Sequence, residues 1–131
     1  MSESGPGARS RVLEVPGSYG PIAFPETELQ RLWARNAAGG KVLVGRSGRR
    51  IRVLSPGRWN RLEGPDFIDA ALEIDGERRH GDVEIHFREE DWEKHGHGGD
   101  PNFRNVLLHV FLYPAPVPAP DTRPPEAVEW L

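Results

Sequence analysis

A chain of 131 residues with a net charge of −3 has room for one hydrophobic core and little more. That charge excludes a protein holding nucleic acid by bulk electrostatics alone, and the absence of cysteine excludes disulfides and thiolate metal sites. No run of about 18 apolar residues occurs and residues 1–10 lack the apolar core of a secretory signal, so a soluble, cytoplasmic protein without membrane partners is expected.

Residues 1–20 mix Ser, Gly, Pro and Arg without periodicity and read as a flexible arm. The folded domain is expected over residues 21–113. It opens with a helix over 25–36: Pro25 suits the first turn, Glu26 and Glu28 favour the positive end, and Ala37-Ala38-Gly39-Gly40 stops it. Leu29, Leu32 and Trp33 have the spacing of a buried stripe, which leaves Gln30 and, one turn earlier, Glu26 on another face. Strands over 41–44 and 50–54 flank Gly45-Arg46-Ser47-Gly48, and Ser55-Pro56-Gly57 marks a break. Strands over 67–74 and 79–87 flank Asp75-Gly76, a favoured hairpin turn. A short helical turn over 88–95 and a loop over 96–101 lead to an apolar run over 106–113 that reads as a central strand. The Pro-rich remainder, 114–131, reads as an extended or disordered tail. The fold class is α/β in the broad sense (α+β): a helix, an antiparallel β-meander, a short helix and a further central strand.

Alternation puts Val83, Ile85 and Phe87 on one strand face and Glu84 and His86 on the other. Pairing across Asp75-Gly76 sets Glu84 opposite the neighbourhood of Phe67, beside Asp66, whose turn Pro65 stiffens. Asp66, Glu84 and His86 are therefore expected to share a divalent cation. His95, His97 and Asp100, with His109 from the central strand, form a second constellation whose imidazoles make a zinc or manganese site conceivable. Arg49, Arg58 and Arg61 belong to a basic stretch suited to phosphates.

Pro65-Asp66, the hairpin and Glu84-x-His86 resemble the PD-(D/E)xK nuclease pattern, with His86 where that pattern has lysine. The resemblance implies a restriction-endonuclease-like core, Mg²⁺ or Mn²⁺ on Asp66 and Glu84, and a polar helix residue such as Gln30 set against the metal. His86 would then orient or deprotonate water, and His95 or His97 would protonate the leaving oxygen. A longer string resembles the bacterial domain-of-unknown-function 2851 family. It runs through Leu29-Gln30-x-x-Trp33, Asn60, Gly64-Pro65-Asp66-Phe67, Gly81-x-Val83-Glu84-Ile85-His86, Asp91-Trp92-x-x-His95-x-His97, Asp100 and Asn105-Val106-x-Leu108-His109-Val110. The expected function is metal-dependent hydrolysis of nucleic-acid phosphodiester bonds, with Asp66, Glu84, His86, His95, His97 and Gln30 catalytic and Asn60, Asp100, His109 and Glu26 accessory. A homodimer is compatible with the sequence. The alternatives are an inactive nuclease-fold module that binds nucleic acid or protein, and a structural domain stabilised by zinc on its histidines.

Overall fold

Pro25, with φ fixed at −63°, leads into helix α1 (Glu26–Asn36), and the Ala37 amide closes it on the Trp33 carbonyl. The computed structural model describes residues 25–130, so the arm expected over 1–20 lies outside the described residues. Leu29 and Trp33 of the expected stripe are buried, whereas Leu32 is 41% exposed at the edge of the contact. After α1 come β1 (Val42–Val44), β2 (Arg50–Ser55), β3 (Arg58–Trp59), β4 (Phe67–Ile74) and β5 (Glu77–Arg88). Helix α2 (Asp91–Lys94), two 3₁₀ turns (His97–Gly99 and Pro101–Phe103), β6 (Val106–Tyr113) and β7 (Glu126–Glu129) complete the chain.

The strands form a single mixed sheet in the order β1-β2-β4-β5-β6-β7, with the short β3 paired to β4. Pairing is antiparallel from β1 through β5, then parallel between β5 and β6 and between β6 and β7. The α+β class is therefore as expected. The two ends of the sheet approach each other, because the Arg46 amide donates to the Ala127 carbonyl at 2.8 Å. Ser47 and Arg49 reinforce this partial closure through hydrogen bonds to the buried Glu126 carboxylate.

One expectation is corrected here. The segment after Tyr113, read as an extended or disordered tail, contains β7, which adds a parallel strand beside β6. Proline keeps residues 114–125 out of the sheet for want of amide hydrogens, but Glu126–Glu129 has none and is free to pair. Ala127 and Val128 are buried, and Trp130 packs edge-on against Trp33 with ring centroids 5.3 Å apart.

The register set by the Asp75-Gly76 turn runs from Ile74↔Glu77 to Ala70↔Gly81 and then slips by one residue before Phe67↔Val83. Asp69 absorbs the slip in a left-handed conformation (φ 58°), its amide donating to Asp82 Oδ1 at 2.9 Å. This bulge carries Asp66 from beside Glu84 to directly alongside it. On one face of β5, Val83 and Ile85 are fully buried in the core with Leu29, Trp33 and Phe67. On the opposite face Glu84 and His86 are also buried, and the site is built there.

Candidate metal centre

Glu84 is the hinge between two groups of side chains. Its Oε1 accepts the Asp66 amide hydrogen at 3.1 Å. Its Oε2 lies 3.2 Å from His86 Nε2 and 2.9 Å from His97 Nε2. The ligand-capable atoms of His86, His95 and His97 all fall within 4.8 Å of one another. Strand parity delivers Glu84 and His86, while His95 and His97 arrive from the turn after α2, where Gly96 adopts φ 70° to reverse the chain. The structure thus merges the two constellations that the sequence presents separately.

The donors fit a bound cation. Ligands at about 2.0–2.2 Å from one tetrahedral ion stand roughly 3–3.5 Å apart, the spacing of Glu84 Oε2 from the two imidazole nitrogens. His97 Nε2 is buried and faces Glu84 Oε2 at 2.9 Å. The His97 ring is clamped in this pose, stacked on Phe103 at 3.8 Å and met edge-on by Trp92 at 5.3 Å. His86 Nδ1 lies 2.8 Å from Nε2 of the fully buried His109. When His86 ligates through Nε2, its Nδ1–H donates to His109, the arrangement that orients metal-binding imidazoles generally. Burial, followed by the charge of His86, pushes His109 down to about 3 and keeps it neutral.

Asp66, expected among the metal ligands, stands directly beside Glu84 with each carboxylate oxygen accepting one hydrogen bond. Gln30 Nε2 donates to its Oδ1 at 3.0 Å and the Ile85 amide to its Oδ2 at 2.9 Å. Burial, and then the Glu84 carboxylate beside it, drive Asp66 well above the usual carboxylate range. Burial alone would raise Glu84 too, but its contacts with His86 and His97 hold it well below that range. The two carboxylates therefore titrate together, with ionisation favoured at Glu84. Asp66 braces Glu84, and Gln30 braces Asp66 while accepting the Trp59 indole hydrogen at 2.8 Å.

In front of the imidazoles lies an open cleft of about 390 Å³, with Glu26, Leu62, Glu63, Asp100 and Asn102 among its walls. Burial raises the Glu26 carboxyl above its ordinary value. Asp100 caps a 3₁₀ turn by accepting the Asn102 amide at 2.9 Å. Asn60 shapes the loop before Asp66, donating to the carbonyls of Glu63 and Pro65. The arginines expected at phosphates do not line the cleft. Arg49 is engaged by Glu126, Arg58 is exposed on β3, and Arg61 lies over the Trp59 ring at 4.6 Å.

The sequence reading passed over Glu89 and Arg123. Glu89 is fully buried, yet Arg46, the Ala115 amide and, at 3.2 Å, Arg123 Nη1 surround its carboxylate. Glu89 lies in the turn just past β5, whose last residue is Arg88, so strand alternation gives no signal for it.

Fold and site together define an α+β domain with a histidine cluster able to hold a metal ion. The chain belongs to the DUF2851 family, described as a protein of unknown function, which matches residues 26–117. No curated protein and no solved structure matches it. Among the described residues, no helix is long and apolar enough to cross a membrane.

Proposed function

We propose that this domain is a metal-dependent hydrolase of nucleic-acid phosphodiester bonds, built on a PD-(D/E)xK-like core whose metal has moved toward histidine. The observation that carries the reading is the convergence of Glu84 Oε2, His86 and His97, at 2.9–3.2 Å, with His95 beside them and an open cleft in front. The element order supports it: a helix, an antiparallel meander, a short helical crossover and a parallel strand, with Asp66 entering β4 and Glu84 and His86 on β5. Three imidazoles and one carboxylate suit Zn²⁺, or Mn²⁺ after it, better than Mg²⁺, which prefers oxygen and keeps its water.

An ion held there would supply Lewis-acid polarisation of a phosphoryl oxygen and activation of water. The chain's own residues do the remainder. Glu84 brings the negative charge, the Asp66 amide holds its carboxylate while Gln30 holds Asp66, and His109 fixes the ring of His86. Glu26, made easier to protonate by burial, stands in the cleft as a proton donor for a leaving oxygen.

A module that binds a protein partner without cleavage is the second reading. It is favoured by a cleft whose described lining includes Glu26, Glu63, Glu84 and Asp100 but neither lysine nor arginine, a poor surround for a polyanion. Incubation with labelled single-stranded, duplex and branched DNA and with RNA, with Zn²⁺ or Mn²⁺, separates the two. The hydrolase reading expects cleavage with an ion, lost by about 10- to 100-fold or more in H97A and E84Q. Intact substrates under every condition overturn it.

A further inference from the structure

Residues 121–125 run across the outside of the loop that carries His95 and His97. Trp92 Nε1 donates to the Thr122 carbonyl at 2.9 Å. A Cβ on Gly98 would lie 2.4 Å from Thr122 Cβ, so the loop and the strap meet backbone to side chain with no room for a methyl group. Arg123, only 4% exposed, grips Glu93 through two hydrogen bonds of 2.6 and 2.7 Å. Its third contact, 3.2 Å to Glu89, ties α2 to the end of β5. Elsewhere strap and loop stand apart around a cavity of about 360 Å³, so Thr122 and Arg123 are points of attachment within an otherwise loose cover.

These points adjoin the metal ligands. Gly98 follows His97 directly, and Trp92, which the strap holds by its indole, is the ring that meets His97 edge-on at 5.3 Å and leans on His109 at 5.5 Å. We propose that the strap is a positioning element of the metal centre: Thr122 and Arg123 hold Trp92 and Gly98 so that His97 faces Glu84. The strap lies beyond residues 26–117, which match the family, so the proposed centre draws on a segment outside the matched residues. The inference rests on the reading that the histidine cluster binds a metal ion.

The test titrates the full chain with Zn²⁺ by calorimetry and with Co²⁺ by visible absorption. In G98A the added methyl group forces strap and loop apart, and Zn²⁺ affinity should fall by about 10- to 100-fold with an altered Co²⁺ band. G98A/T122G removes the opposing Cβ and should restore both. W92F keeps an aromatic ring but drops the bond to Thr122, and should weaken Zn²⁺ binding in the same sense even if G98A fails to fold. Thermal melts in chelator record whether each variant is folded before metal is added. Wild-type affinity in G98A or in folded W92F, or a double variant as weak as G98A, overturns the strap while leaving the metal reading intact. A wild type that binds neither ion overturns the metal reading and the strap with it.

Discussion

Replacing His109 by leucine removes the partner of His86 Nδ1 while keeping the site filled. Both rings are buried and their nitrogens lie 2.8 Å apart, so no solvent stands ready to take the lost contact. A buried N–H left without a partner costs about 1–3 kcal/mol, which for a chain of 131 residues lowers Tm by roughly 3–5 °C per kcal/mol. The cost to the metal is separate. Without an acceptor on Nδ1–H, His86 loses the constraint that aims Nε2 at Glu84 and the basicity that the hydrogen bond confers. Zn²⁺ affinity should fall by about 10- to 100-fold, equivalent to about 1.4–2.7 kcal/mol. H109Q, whose amide oxygen can accept from His86, should regain most of it. Calorimetric titration with Zn²⁺ of wild type, H109L and H109Q reads this directly. An H109L variant that is folded in chelator and binds Zn²⁺ as tightly as wild type refutes the reasoning.

The same residue makes metal-free stability depend on pH. His109 sits near 3 when folded against 6.5 for an ordinary histidine, so between those values the unfolded chain takes up a proton that the folded chain refuses. Its stabilising effect is complete above about pH 6.5 and drains away as pH falls toward 3. Urea unfolding in chelator between pH 5 and 6.5, above the carboxylate range, should show a shallower slope in H109L, and equal slopes would contradict the assignment. W130A removes the ring that seats β7 against Trp33 and should cost about 3–5 kcal/mol in urea unfolding; no change would mean that β7 is not part of the cooperative fold. In G81A the new Cβ would lie 2.5 Å from Leu107 Cβ, forcing β5 from β6 and destabilising by about 1–3 kcal/mol by thermal melting, so unchanged stability would contradict the close approach.

Much of the centre was legible because it depends on short-range rules. Strand parity and a two-residue turn put Glu84 and His86 on one face and bring Asp66 near, whatever the rest of the chain does. The bulge at Asp69 was not legible, since aspartate tolerates a left-handed backbone without requiring one, yet it is what aligns Asp66 with Glu84. The surroundings of Asp66 were not legible for a related reason: only the folded chain brings Gln30 and the Ile85 amide to its two oxygens. His95 and His97 read as a separate loop pair because their convergence on His86 is a tertiary contact across α2. The tail was lost to composition. Its prolines mask Glu126–Glu129, whose pairing is decided by the free edge of β6 and the face of Trp33.

Crystals of the protein soaked in Zn²⁺, with diffraction collected at the zinc edge, test the metal centre most directly. A single anomalous peak is expected about 2.0–2.2 Å from Glu84 Oε2, His86 Nε2, His97 Nε2 and a ring nitrogen of His95, with Asp66 outside the coordination sphere. A peak held by Asp66 and Glu84 without the imidazoles, or no peak at all, would contradict it.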